Sequence, residues 1–353
     1  MNESAKDLDN LVELVLKEGA SDLHISEGRP PIVRISGQLI PLTKHPIFSR
    51  ANMEKIVDTI LPAPKKEIFV KRKGVDFAYE HNGERFRSHC FIQQGRICIA
   101  MRAISKKIRT IEELGLPTQI ESFARRNAGF FLVVGPTGHG KSTTLASMIE
   151  IINSERLERI VTIEDPIEYL FVPKKSIVDQ REVGDDTPDF REGLRDSFRE
   201  DMDVIMIGEM RDTETMSAAV TAAETGHLVF ATLHTNSASS TVDRIIDSFS
   251  STQQTQIRMQ LASSLSGIFS QRLIPRVQGG LIPAYELLIN NSAVANLIRD
   301  KRTHEIDTVI ETSSKEGMID MNRCLVDLVR RGEVSLENAY LYSNNPKTLE
   351  KML

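Results

Sequence analysis

The chain has 353 residues, 44 Lys and Arg against 49 Asp and Glu, a formal net charge of -5 and three cysteines. That length points to two domains rather than one core, and the acidic balance excludes a global basic field for non-specific nucleic-acid binding. Cys90, Cys98 and Cys324 supply neither a four-thiolate zinc site nor a disulfide framework, and no run reaches the roughly 18–20 apolar residues that span a bilayer.

The N-terminus MNESAKDLDN is polar rather than signal-like, so a soluble, cytoplasmic protein without direct membrane insertion is expected. LDNLVELVLKEGA places Leu8, Leu11, Val12, Val15 and Leu16 on one face of an opening helix. From SDLHIS through PPIVRISGQLIPL, and again in GVDFAYE, ERFRSHCFIQ and ICIAMRAI, short alternating runs are broken by turn residues such as Asn82-Gly83 and Gln94-Gly95. Residues 1–105 therefore read as a small α+β domain. In KKIRTIEELGLP, charges with Gly115 and Pro117 interrupt the pattern and predict a linker over 106–118. Beyond it, the apolar runs GFFLVV, RIVTIED, DVIMIGE and HLVFATLH alternate with helical stretches, which predicts an α/β domain with a parallel sheet over 119–275. Residues 276–353 read as mainly helical, notably SAVANLIRD and DMNRCLVDLVRR, with no repeat and no low-complexity tail.

GPTGHGKS, Gly135 to Ser142, follows GFFLVV and opens STTLASMIEII: strand, glycine-rich turn, helix, the order a phosphate-binding loop requires. Glycines let successive backbone N–H groups curl around phosphate oxygens while the helix aims its positive end at the same charge. Pro136, Thr137, Gly138, His139, Gly140, Lys141, Ser142 and Thr143 are thus the expected nucleotide-binding residues. Lys141 reaches the outer phosphates and the Ser142 hydroxyl serves Mg2+. A nucleoside triphosphate is the expected ligand; the motif alone does not name the reaction.

Two acidic clusters end predicted parallel strands, where an open α/β sheet binds its ligand. IEDPIE contains Glu164, Asp165 and Glu168, and DVIMIGE ends at Glu209. A triphosphate with Mg2+ needs carboxylates to hold the metal or its waters and to orient the attacking water. Glu209 is the expected metal-coupled residue and Glu164 the water-positioning one, or the two with their roles exchanged. Asp165 either joins the metal shell through water or caps a turn before Pro166, and Glu168 either joins the site or is solvated. His227 and His234 flank LVFATL at opposite ends, so they form no single metal-binding face. His234, at the carboxyl end, is either a hydrogen-bonding sensor of the terminal phosphate or a satisfied strand-edge histidine.

Taken together, ASDLHI, GPTGHGKSTT, TIEDPIEY, DQREVG, DVIMIGEMRD, ETGHLVFATLHTNSA, QRLIPR and KEGM resemble, in this order, the secretion-type ATPases and most closely the PilT family of type IV pilus retraction motors. The resemblance implies a PAS-like N-terminal domain, a RecA-like ATPase core, six copies in a ring and ATP sites between neighbouring subunits. IEDPIE then resembles the Asp box, DVIMIGE the Walker B segment and GHLVFATLH the His box with His227 and His234, which implies that His227 joins the nucleotide-binding residues and His234 the catalytic ones. Arg87 and Arg102 match positions that supply arginine fingers in this family, where a guanidinium entering a neighbour's site stabilises phosphoryl charge. The implied cofactors are ATP and Mg2+. The implied partners are further copies of the chain, an inner-membrane platform protein of the PilC kind and a paralogous retraction ATPase, with no nucleic acid.

The chain departs from the family pattern at two points. His139 stands where the family usually has a small residue such as serine, and its side chain is expected to point away from the cradle. SAVANLIRD resembles the retraction motif AIRNLIRE but carries Ala295 in place of its arginine, so loss of a surface contact and a PilU-like accessory role are set against self-sufficient retraction. The sister alternative is an assembly ATPase for pilus extension or type II secretion, which typically adds a long N-terminal domain and a CxxC zinc pair. The alternatives from other classes are a nucleic-acid translocase, which DNA or RNA stimulation of turnover would reveal, and a nucleotide-sensing scaffold that binds ATP without hydrolysing it.

Overall fold

The structure, a computed structural model, describes residues 3–35 and 37–353; Ser36, within the expected run PPIVRISGQLIPL, lies outside them. The chain divides between Ser105 and Lys106 into two compact units.

In the first unit, α1 (Glu3–Lys17) precedes the strands β1 (Asp22–Ser26), β2 (Ile32–Ile35) and β3 (Gln38–Pro41). The helices α2 (Arg50–Ile60) and α3 (Ala63–Arg72) and the strands β4 (Gly74–His81), β5 (Glu84–Gln93) and β6 (Arg96–Ala103) follow. The six strands form one antiparallel sheet in the order β3-β2-β1-β6-β5-β4. Leu8, Leu11, Val12 and Val15 of α1 are buried in a core shared with Leu23, Ile25, Phe77 and Phe86, the face the helical spacing predicts. Asn82-Gly83 and Gln94-Gly95 take positive φ (51°, 77° and 51°, 74°), which lets them close the β4–β5 and β5–β6 hairpins tightly.

The second unit opens without regular structure, yet Ile111 and Leu116 of the expected linker are buried among residues of its own core. It then runs α4 (Glu121–Ala124), β7 (Gly129–Val134), α5 (Lys141–Glu155), β8 (Arg159–Glu164), β9 (Ile177–Glu182) and α6 (Phe190–Ser197). Next come β10 (Val204–Ile207), α7 (Thr213–Glu224), β11 (Leu228–Leu233), α8 (Ala238–Asp247), α9 (Gln254–Ser264), β12 (Leu265–Pro275) and β13 (Leu281–Ile289). The chain closes with α10 (Ser292–Arg299), α11 (Ile306–Thr312), α12 (Met321–Arg330), α13 (Leu336–Tyr342) and α14 (Pro346–Met352).

These seven strands are ordered β13-β12-β7-β11-β10-β8-β9, all parallel except β13. Every residue of GFFLVV is buried, and its side chains alternate between two layers: Phe130, Leu132 and Val134 meet α6 to α10, whereas Phe131 and Val133 meet α4 and α5. Burial on both faces is why the run is continuously apolar, each such side chain contributing roughly 1.5–3 kcal/mol. The span after Pro275, expected mainly helical, begins instead with β13, which pairs along the length of β12 through a turn at Gly279 and Gly280. Its Pro283 lacks an N–H, which only an edge strand tolerates and which weakens the strand signal in LIPAYELLI. Ala295 is 7% exposed, on the buried side of α10, within the core of the second unit. Among the described residues, no helix is long and apolar enough to cross a membrane.

Gly267 of β12 lies so close to its neighbours that an added Cβ would meet the Leu288 carbonyl oxygen at 2.7 Å and the Phe123 ring at 2.9 Å. Gly267→Ala is therefore expected to destabilise the second unit by about 1–3 kcal/mol through overpacking, read as a lower urea midpoint. An unchanged midpoint counts against this close packing of β12.

Candidate functional site

The carboxyl ends of β7, β8, β10 and β11 open on one cavity of about 380 Å³. At its floor the chain leaves β7 through Gly135, at φ 144°, where a Cβ would stand 2.3 Å from the Gln271 carbonyl oxygen. Gly140, at φ 82°, precedes α5, and a Cβ there would come within 2.8 Å of Gln271 Nε2. The backbone of β12 passing alongside thus requires the first glycine, whereas Gly140 meets only a side-chain end and is required by its left-handed backbone. Gly138, at φ 78°, has open space around it and is needed for its backbone conformation alone.

Lys141 begins α5 and is buried, its Nζ donating to the carbonyls of Gly135 (2.9 Å) and Pro136 (3.0 Å). Burial lowers its pKa while Glu209 and Glu168 pull it back up. Its Nζ also lies 3.4 Å from His234 Nδ1, and His234 Nε2 lies 3.3 Å from Glu209 Oε2. With Lys141 donating to Nδ1, the Nε2–H is left to donate to Glu209. Thr137 Oγ1 approaches the same Nδ1 at 3.3 Å. His234 therefore joins the phosphate loop to the β10 carboxylate.

The two glutamates stand in opposite environments. Glu164, the last residue of β8, is 6% exposed, and burial pushes its carboxyl up to about 7 although Thr162 Oγ1 (2.6 Å) and Gln180 Nε2 (3.1 Å) donate to it. For Glu209, burial also raises the pKa, but the guanidinium of Arg211 and the His234 ring outweigh it and hold the carboxyl below its usual range. One acid is poised to exchange a proton near neutrality and the other stays charged. Asp165 lines the cavity, with its Oδ2 3.9 Å from Arg211 Nη1. Ser142 is exposed to the cavity, and Thr143 Oγ1 shares a hydrogen bond of 2.9 Å with Tyr169 OH.

The structure thus gathers Thr137, Gly138, Gly140, Lys141, Ser142, Thr143, Glu164, Asp165, Glu209 and His234 around one cavity. Pro136 and His139 do not line it. Nor does His227: it precedes β11 at the strand's other end, with Nδ1 3.0 Å from Ala222 O and its ring edge-on to Phe198. A six-residue strand at about 3.3 Å per residue separates the two histidines by roughly 20 Å, so one nucleotide phosphate cannot meet both. Arg87 and Arg102 lie in the first unit, opposite each other on β5 and β6; both are exposed, and Arg102 Nε donates to Asp22 Oδ1 at 2.8 Å. Sequence reasoning missed Thr162, Gln180, Gln271 and Tyr169. Gln180 and Gln271 fall inside DQREVG and QRLIPR, but nothing in those strings indicates which distant group each amide meets.

A parallel sheet with a glycine-rich loop, a buried lysine opening the next helix and two carboxylates at neighbouring strand ends defines a P-loop nucleotide-binding protein with a RecA-like core. The family described as Type II/IV secretion system protein matches residues 2–281, and the chain belongs to that family. It is 42% identical to the type IV pilus retraction ATPase PilT of Pseudomonas aeruginosa over 94% of this chain and 97% of that protein. It is 37% identical to the type IV pilus ATPase PilU of the same organism over 98% of this chain and 91% of that one. A crystal structure of the pilus retraction motor PilT with bound ADP superposes with a TM-score of 0.91 at 44% identity, covering 98% of this chain and 99% of that chain.

The raised pKa of Glu164 has a sign for stability. Below its ordinary value of 4.5 the carboxyl is neutral folded or unfolded, whereas above about 7 the folded protein carries a desolvated charge. Wild type therefore loses stability as the pH rises through that window. Glu164→Gln is expected to be more stable than wild type by about 1–3 kcal/mol at pH near 8, the gain vanishing toward pH 4.5, in urea titrations at both ends.

Proposed function

We propose that this chain hydrolyses ATP to ADP and phosphate and, as a ring of six, drives retraction of type IV pili. The observation that carries the reading is the Lys141–His234–Glu209 chain beside the buried Glu164, in a protein similar to PilT over nearly its whole length. Phosphate oxygens are better acceptors for the Lys141 ammonium than the carbonyls of Gly135 and Pro136, so a triphosphate draws it outward. Glu164 holds the attacking water and takes its proton as the water oxygen bonds to the terminal phosphorus and the bridging oxygen leaves with ADP. With a pKa of about 7, it accepts that proton and returns it to solvent near neutral pH. His234 reports the terminal phosphate to Glu209.

The donors around the loop suit Mg2+: the exposed hydroxyl of Ser142 and the ionised carboxylate of Glu209 are hard oxygen ligands, and Asp165 is near enough to act through water. When bound, Mg2+ supplies positive charge to the outer phosphates. Arg87 and Arg102 act in trans, entering the site of a neighbouring copy to stabilise charge on the transferred phosphoryl group. Hydrolysis then alters how adjacent copies pack, and that motion is delivered to an inner-membrane platform protein at the cytoplasmic face. Similarity to PilU over 98% of the chain supports a second reading, an accessory retraction ATPase working beside a paralogue.

Glu209→Gln is expected to bind ATP while turnover falls at least about a hundredfold. Mixing it with Arg102→Ala subunits is expected to recover part of the lost rate, because complementary copies form some intact shared sites; a uniformly inactive mixture rejects the trans assignment. Deleting the gene and counting surface pili separates directions. Accumulated pili are the expected outcome, and loss of pili identifies an extension motor instead.

A further inference from the structure

His139 lies in the phosphate loop yet contributes nothing to the cavity wall. Its imidazole turns toward β12, where Nδ1 accepts the Leu273 N–H at 2.9 Å. The reason is topological. β12 pairs with β7 only as far as Ser270 opposite Val134, then runs on past the end of that strand. Leu273 N–H thus has no β7 partner, and an unmet backbone donor in a half-buried setting is unfavourable. The same loop residue accepts at its carbonyl from Gln271 Nε2 (2.7 Å), while Gln271 Oε1 accepts from Thr144 Oγ1 (2.7 Å) on α5. The ring's outer side meets Tyr342 at the end of α13, edge-on with centroids 6.5 Å apart. Arg272 ties that segment to β12 by donating to the Tyr342 carbonyl and to Asn344.

We propose that His139 is a positioning residue that pins the phosphate loop to β12 through its uncharged imidazole, so that nucleotide affinity falls when the ring takes up a proton. A neutral ring carries its proton on Nε2 and offers the Nδ1 lone pair to Leu273; a protonated ring has a donor on both nitrogens and faces the Leu273 N–H with another N–H. The charged groups facing the ring are Arg272 of β12 and Lys141 of α5, and Tyr342 of α13 completes its surroundings. Burial, then these two cations, lower the His139 pKa, so the pinned form holds at neutral pH and is lost on acidification below the ordinary histidine range. The inference rests on the loop binding nucleotide, as proposed above.

The test is calorimetric titration of the full chain with ADP and Mg2+ at about pH 8 and in steps down to about pH 4.5, well below the ordinary imidazole range, for wild type, His139→Ala, His139→Asn and Lys141→Ala. His139→Ala is expected to weaken ADP about five- to tenfold at the higher pH, the factor one lost hydrogen bond carries. His139→Asn keeps an oxygen acceptor and is expected to recover most of that loss. On acidification, wild type is expected to lose at least about fivefold more affinity than His139→Asn, a difference in which the ionisation of ADP itself cancels. The proposal is overturned if His139→Ala binds like wild type, or if wild type and His139→Asn share one pH dependence; the second comparison decides if the alanine variant fails to fold. Should wild type bind no ADP at any of these pH values, the nucleotide reading falls and takes this one with it. Binding by wild type but not by Lys141→Ala keeps that reading intact, whatever becomes of His139.

Discussion

The site depends on β12 crossing beside the phosphate loop. Gly135 has no room for a Cβ because the Gln271 carbonyl stands against it, and the Gln271 amide bonds His139 O on one side and Thr144 on the other. The loop's curl is therefore set by a strand more than 120 residues away in the chain, held in turn between β7 and β13. Held on a rigid element, the loop's N–H groups can stay aimed at the ligand without paying for ordering at the moment of binding.

Burial then differentiates groups of one chemical type. Glu164 and Glu209 both follow apolar strands and both feel desolvation, yet they end on opposite sides of the ordinary carboxylate range. The difference is the company each keeps. Glu164 has neutral donors, Thr162, Gln180 and the Glu168 backbone, and the like charge of the Glu168 carboxylate, whereas Glu209 has the Arg211 guanidinium and the His234 ring. Lys141 is under the same pressure from the opposite charge, and its bonds to two loop carbonyls offset part of its desolvation.

Much of the architecture was legible because the relevant signals are local. Alternation in ERFRSHCFIQ, the helical face of LDNLVELVLKEGA and the doubly buried run GFFLVV each follow from a periodicity carried by neighbouring residues. LIPAYELLI was hidden by its proline and by the helices around it, and it forms a strand because β12 offers it a partner. His227 belongs to the same string as His234, but a parallel strand carries its two ends to opposite rims of the sheet. Position 295 shows the same limit: which face of α10 is buried is decided by what packs on it.

The order of strand, glycine loop and helix, the lysine and serine that open α5, and the carboxylates that end apolar runs were determined by sequence alone, because each is fixed by covalent neighbours and by backbone stereochemistry. Which amide meets Glu164, why Gly135 admits no side chain, and where His139 turns were decided only by tertiary structure. Those contacts join residues far apart in the chain, and a hydrogen bond depends on distance in space, about which spacing along the chain says nothing.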